Sequence, residues 1–314
     1  MTTLEIQDLK SQRNFLQERL QETPPNARLT RMSTEARIRN IELRLAAARP
    51  DEREPARVQL TFRGKPVIGS HGVFADFGAK ATNAFTELVD RVAASLTGPL
   101  ASAGRIPNRD QSQLLITNTV PGSFGFELEE YREGVLPFCE DSSTAQAFEL
   151  TQTLLQSTLE SDDELADAVT ATDPRAVAAA RSFLEVLFKS EAVCALEFRG
   201  KLFRFRDVGA VRTSFARLAP DNLHVGEQKL AGEFMGVLPD SRRFEFKLAS
   251  DGAVIRGKLG PDVTDAEELN RHLHQPVRVS AMVTRVGSGK PRYVLIQQPN
   301  WSASESGSGE PVEA

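Results

Sequence analysis

Charged side chains in the C-terminal third of the chain have the types and spacing to bind an anion. Five cations lie in or beside two strand-like runs there, in which charged and apolar residues alternate: Arg242, Arg243, Lys247, Arg256 and Lys258. Such a cationic strand region can bind single-stranded nucleic acid or a partner peptide. In the alternative interpretation, Phe244 and Phe246 form a core and the charges are an ordinary solvated face.

Two loops in the first half of the chain are the other candidates for chemistry. The loop Gly69–Gly72 holds His71 between glycines, and a later loop carries Arg105 and Arg109. A histidine beside arginines has the residue types for acid–base chemistry on a phosphate or ester. These loops therefore support a hydrolase or nucleotide-processing enzyme as a weaker alternative, against the simpler reading of a polar residue in a glycine-rich turn.

The remaining polar residues predict no metal and no cofactor. The two cysteines lack metal-ligand spacing, and no third ligand accompanies His272 and His274. The segment Val286–Lys290 lacks the spacing of a phosphate-binding loop and lies where a hairpin should turn. An enzyme is therefore the minority interpretation of this sequence.

Bulk properties predict a soluble, cytoplasmic protein of more than one domain. The 314 residues carry a net charge of −5, and 40% are hydrophobic, which is ordinary for a globular chain. No apolar run reaches membrane-spanning length, and the N-terminus lacks the features of a signal peptide. The two cysteines form no disulfide framework, which favours a reducing compartment.

One phrase that occurs twice organises the middle of the chain. Val58–Lys65 and Cys194–Lys201 both alternate apolar residues and end in Arg-Gly-Lys, and aspartates at 76 and 207 then open helical stretches. Alternation predicts strands, and Arg-Gly suits a tight turn at positive φ. We predict an α+β domain at 56–220 with a duplicated β-hairpin–helix unit. Within it, N-caps are predicted at Asp76, Ser161 (with Glu164) and Asp173.

Two amphipathic helices are predicted before this domain. Residues 3–21 and 33–48, the second starting at Ser33, each carry a narrow apolar stripe, and together they predict a helical hairpin at 1–50. Such a stripe cannot form a core alone. It either packs on the rest of the chain or mediates coiled-coil-like self-association through Leu9, Leu16, Ile38 and Ile41.

Five strand-like runs follow, at 230–237, 242–248, 253–259, 277–286 and 291–297. One short helix, capped by Thr264, interrupts them after the third run. This order predicts a small five-stranded, OB-like β-barrel at 224–299. Residues 300–314, including Trp301, read as a disordered tail.

This organisation favours a non-catalytic binding and assembly protein that acts through protein–protein contacts of the hairpin and the barrel. The alternative is a nucleic-acid-binding protein that uses the cationic face of the barrel. No membrane partner is expected.

Overall fold

A computed structural model describes residues 3–24, 27–47, 55–98, 100–101, 104–107, 109, 112–120, 124–131 and 142–301. Across these residues the protein is of the α+β class, as predicted, with eight helices, a five-stranded antiparallel sheet, a two-stranded sheet and a closed five-stranded barrel. None of the described helices combines the length and apolarity needed to cross a bilayer.

The first two helices are α1 (Thr3–Glu22) and α2 (Arg28–Ala47), and they pack against each other. The guanidinium of Arg31 donates to the carbonyls of Leu20 (3.3 Å) and Thr23 (2.9 Å), which satisfies acceptors at the C-terminal end of α1. The prediction that α2 starts at Ser33 was wrong. The segment 28–32 contains arginine, leucine and methionine, which are strong helix formers, so the helix extends back to Arg28 and residue 33 lies inside it.

The five-stranded sheet has the order β4-β5-β1-β6-β7. Its strands are β1 (Arg57–Gly64), β4 (Leu114–Val120), β5 (Phe124–Glu130), β6 (Ala192–Phe198) and β7 (Lys201–Arg204). The two strands that carry the repeated phrase are neighbours, since Leu60 lies opposite Leu196 and Phe62 lies opposite Cys194. The alternation read from the sequence places Val58, Leu60 and Phe62 on one face, and all three are fully buried.

Helices cover that face of the sheet. They are α3 (Ala75–Leu96), α4 (Ser143–Ser157), α5 (Asp162–Thr170), α6 (Pro174–Lys189) and α7 (Val208–Arg217). Phe85 of α3 and Phe183 of α6 are fully buried, and their rings meet edge to face at 5.7 Å. One apolar core therefore joins the sheet and this helical layer.

Two of the three predicted N-caps are confirmed, and one is wrong. Ser161 and Glu164 form a reciprocal capping box, and Asp173 accepts a hydrogen bond from the backbone N–H of Arg175. Asp207, which was predicted only to open a helical stretch, also caps its helix. Asp76 instead lies within α3, where its carboxylate pairs with the amine of Lys80 at 2.8 Å.

The reason is the extra segment of the first repeat. It forms a small hairpin of β2 (Val67–Ile68) and β3 (Gly72–Val73), and the N–H of Phe74 then donates to the carbonyl of Pro66 at 2.9 Å. The chain is thereby fixed in place before the aspartate, so helix α3 starts at Ala75.

The barrel contains β8 (Leu223–Leu238), β9 (Arg243–Leu248), β10 (Val254–Leu259), β11 (Pro276–Val286) and β12 (Arg292–Leu295). Its strands close in the order β10-β12-β11-β8-β9; the β10–β12 pair is parallel and the other four pairs are antiparallel. The short helix α8 (Ala266–Arg271) precedes β11. Its N-cap is Asp265, which accepts from the N–H of Glu268, so the predicted cap at Thr264 is one residue early.

The barrel has an apolar core of its own, centred on Phe234, Phe244 and Phe246. Trp301 also packs on the barrel: its indole stacks on the ring of His272 at 4.3 Å and lies 6.3 Å from the ring of Phe234. Since the indole is held by two barrel side chains, this residue is part of the barrel and not of the tail. The rest of the tail lies outside the described residues.

Candidate binding cleft on the barrel

A cleft of about 740 Å³ lies between the outer face of the barrel and helix α5. Helix α5 contributes Asp167 and Thr170, and β8, β9, β10 and β12 contribute the opposite wall. Three of the five cations predicted as binding residues line this cleft: Arg243, Arg256 and Lys258. The structure therefore brings three of the predicted binding residues together at this cleft and leaves Arg242 and Lys247 outside its lining.

The strand registers arrange the outer face of the barrel in rows that run across β8, β9 and β10. In one row Gly236, Glu245 and Arg256 are opposite each other, and Arg256 Nε contacts Glu245 Oε1 at 2.8 Å. In the next row Glu233 lies opposite Lys247, and their charged atoms are 3.3 Å apart. Each of these two rows carries one cation and one carboxylate, so each is internally neutralised.

The remaining row differs, and we call it the Arg243 row. It consists of Leu238 on β8, Arg243 on β9 and Lys258 on β10. Both cations are solvent-exposed, and no carboxylate among the described residues pairs with either. Leu238 is 63% exposed. Like charges directly opposite on neighbouring strands destabilise a sheet, so this row favours the binding of an external anion.

The floor of the cleft is fixed by ion pairs to the helical domain. Arg292 Nε donates to Asp167 Oδ1 at 2.6 Å, and Arg292 Nη2 lies 3.4 Å from Asp163 Oδ1. Hydrogen bonding to Asp167 raises the pKa of the Arg292 guanidinium above its ordinary value. Through these ion pairs Arg292 holds the barrel on α5. Burial raises the pKa of the neighbouring Tyr293 phenol.

The aromatic residues of this region face the interior, as the core interpretation predicted. Phe244 and Phe246 are 2% and 0% exposed, and Phe234 packs between them with ring separations of 5.8 and 5.0 Å. Single-stranded nucleic acid is usually bound by exposed aromatic rings on which the bases stack. These three phenylalanines provide no such platform.

Arg242 and Lys247 lie apart from the cleft. The guanidinium of Arg242 donates to the carbonyls of Gly260 (2.7 Å) and Val263 (2.9 Å), so this side chain holds the segment that leads into α8. Lys247 lines a second cavity on the barrel, of about 820 Å³.

The two loops of the enzyme hypothesis are held by structural contacts. His71 lies in the exposed turn between β2 and β3, where its backbone N–H donates to the carbonyl of Ile68. Arg109 Nε donates to the buried carboxylate of Asp90 at 3.1 Å, and the hydroxyl of Ser112 donates to the same carboxylate at 2.9 Å. Burial raises the pKa of Asp90, and these two bonds oppose that shift.

Arg105 is exposed in the short described stretch 104–107. Across the described residues, no hydrogen bond or ion pair joins His71 to Arg105 or Arg109, and no group of three or more His, Cys, Asp or Glu residues could hold a metal ion. Cys194 is free and fully buried, and burial raises the pKa of its thiol far above the ordinary value, so it is not a reactive nucleophile.

The two N-terminal helices offer a second surface. Three of the four predicted self-association residues, Leu9, Ile38 and Ile41, are buried within the single chain, and Leu16 is half-buried. The large apolar side chains that stay exposed are others: Phe15 (59%), Met32 (66%) and Leu43 (65%). Phe15 and Leu16 also line a groove of about 600 Å³ between α1 and α2.

Several cleft residues were missed by sequence reasoning. Alternation puts Val237 inside the barrel and so places Leu238 outside, a signal that was present in the sequence. The contributions of Asp167 and Arg292 carried no local signal, because residues 125 positions apart come together only when α5 packs on the barrel.

Comparisons with protein-family models, with curated proteins and with solved structures found no match.

Proposed function

We propose that this chain is a non-catalytic binding and assembly protein, whose barrel cleft binds a segment of a partner protein and whose N-terminal helices mediate self-association. The observation that carries this proposal is the Arg243 row in the 740 Å³ cleft: exposed Leu238 lies opposite Arg243, and neither Arg243 nor Lys258 pairs with a carboxylate among the described residues. Exposed apolar surface beside unpaired charge is typical of sites that bind other proteins.

The proposal includes three parts: a helical hairpin at 1–50, an α+β domain with a duplicated unit at 56–220, and an OB-like barrel at 224–299. In the barrel, the first strand pairs with the second and fourth, and the third pairs in parallel with the fifth; this supports the OB assignment. OB barrels bind ligands on the face of their second and third strands, which here are β9 and β10. The cleft lies on that face.

Affinity capture with matched variants tests the role of the cleft. We expect a protein retained by the wild-type chain to be lost from Leu238→Asp, because a carboxylate there would neutralise the Arg243 row and remove the apolar contact. Ile68→Asp is the control, since Ile68 is also exposed (55%) but lies on the β2–β3 hairpin. Equal retention by both variants would argue against the cleft.

Self-association through the N-terminal helices predicts a folded monomer from Phe15→Arg combined with Met32→Arg. Each side chain would otherwise bury apolar surface worth about 1.5–3 kcal/mol in the interface. Light scattering at increasing concentration measures the mass. Leu202→Arg is the control, because Leu202 is 59% exposed on the edge strand β7. A wild-type protein that is already monomeric at high concentration would contradict this part.

Nucleic-acid binding is the second candidate, and the two unpaired cations of the Arg243 row favour it. If the cationic face binds phosphates, log affinity for single strands should fall by about 0.7 per contact for each log unit of salt. Replacing Arg243, Lys247 and Arg256 with glutamate should then abolish binding. We expect weak or no binding by fluorescence anisotropy at low salt, because two of these three cations are already paired. Sub-micromolar affinity that the triple variant loses would reverse the ranking.

A further inference from the structure

We infer that the cleft recognises a protein segment through a single oxyanion, a phosphate or a carboxylate, which binds between Arg243 and Lys258 beside an apolar residue placed on Leu238. This inference rests on the proposed function and specifies the chemistry of the partner. It follows from the distribution of charge over the three rows of the barrel face.

Only one row can accept an anion without first breaking an ion pair. Arg256 is held by Glu245 at 2.8 Å, and Lys247 is held by Glu233 at 3.3 Å, so an anion that approaches either cation meets a carboxylate. Arg243 and Lys258 are register partners on adjacent strands and have no such competitor among the described residues. Two donors on adjacent strands can bind one oxyanion together, and charge-assisted bonds of this kind are the strong ones.

The surroundings of this pair select for an apolar neighbour. Leu238 lies opposite Arg243 on the next strand and is 63% exposed. An extended segment places alternate side chains on the same face, so one residue can meet the cations while the residue two positions away meets Leu238. The cleft thus fits an anionic residue and a leucine-like residue two positions apart.

A protein segment fits this arrangement better than a nucleic acid. A polyanion that ran across all three rows would pass Glu245 and Glu233, and it would also meet Asp167 at the α5 wall. The phenylalanines of this face are buried and offer no ring for base stacking. A single anionic group, by contrast, meets only the Arg243 row.

Three fluorescein-labelled peptides test the inference by anisotropy. They differ at one position, which carries phosphoserine, glutamate or glutamine, and each has leucines two positions before and two positions after it. We expect the two anionic peptides to bind the full-length protein about tenfold or more tighter than the glutamine peptide. Arg243→Gln with Lys258→Gln should remove that difference. The matched control is Lys229→Gln with Arg285→Gln, which removes the same charge from exposed positions on β8 and β11 outside the cleft and should preserve the difference.

The outcomes separate this inference from the proposed function. If the phosphoserine peptide binds more tightly than the glutamate peptide, the ligand group is a phosphate. If these two anionic peptides bind equally, and both more tightly than the glutamine peptide, it is a carboxylate. Equal binding of all three peptides, binding of none, or equal losses in both double variants would overturn the inference. If partner capture still depended on Leu238 in that case, the proposed function would stand. Tighter binding of a labelled single-stranded DNA in the same assay would also overturn the inference.

Discussion

Replacing Gly64 with alanine should strongly destabilise the α+β domain, whereas the same change at Gly200 should cost far less. The two glycines occupy the same place in the repeated Arg-Gly-Lys phrase, and both have positive φ, +118° and +75°. A Cβ at Gly64 would lie 2.3 Å from the carbonyl oxygen of Glu191 and 2.9 Å from the Cα of Ala192. Both of those atoms belong to backbone and cannot give way cheaply.

The expected losses in the free energy of unfolding are therefore unequal. At Gly64, strain and overlap together should cost about 3 kcal/mol or more. Nothing lies within 4 Å of a Cβ at Gly200, where the two-residue turn Arg199–Gly200 is open, so only the conformational penalty of about 1–2 kcal/mol remains. Urea denaturation of the two variants measures both values. Equal losses would mean that the close approach of β1 to residue 191 is incorrect.

Replacing Phe234 with alanine should unfold the barrel at lower temperature than the rest of the chain. This ring is fully buried between Phe244 and Phe246, so truncation should cost about 3–5 kcal/mol. Trp301 is the single tryptophan, and it packs on Phe234, so its fluorescence reports on the barrel alone. We expect the fluorescence transition to move down while the helical circular dichroism transition stays near its wild-type position.

Phe85→Ala is the matched control for this experiment. Phe85 is equally buried but lies in the core of the helical layer, so its loss should lower the circular dichroism transition first. Limited proteolysis of the wild-type protein should agree with these results and leave a stable C-terminal fragment that begins near Asp221. If fluorescence and circular dichroism move together in both variants, the barrel does not fold as a separate unit, and the proposed domain boundary is wrong.

Local signals predicted much of the fold because they depend on few residues. The capping box at Ser161 and the N-cap of α6 at Asp173 involve neighbours in sequence, and both predictions were correct. Asp76 and Asp207 look equivalent in sequence, yet only Asp207 caps a helix. The difference comes from a backbone contact between Pro66 and Phe74 in the extra hairpin, which no repeat pattern specifies.

The candidate site shows the same division between local and long-range information. Alternation predicted that Phe244 and Phe246 lie on one face of β9 and its charges on the other, and the structure confirms the interpretation in which the phenylalanines form a core. It could not predict which cations are neutralised, because that depends on strand register: a shift of register would pair Glu245 with a different cation. The α5 wall likewise required the tertiary packing of two distant segments.

Site-specific photo-crosslinking from the barrel cleft tests the central claim most directly. Benzoylphenylalanine is placed at position 238 in one experiment and at position 68, on the exposed β2–β3 hairpin, in the other, and the full-length chain is irradiated in its native cells. We predict adducts from position 238 to a segment of another protein, absent from position 68 and reduced by Arg243→Gln with Lys258→Gln. Adducts of equal yield from both positions, or from position 238 only to this chain itself, would contradict the account.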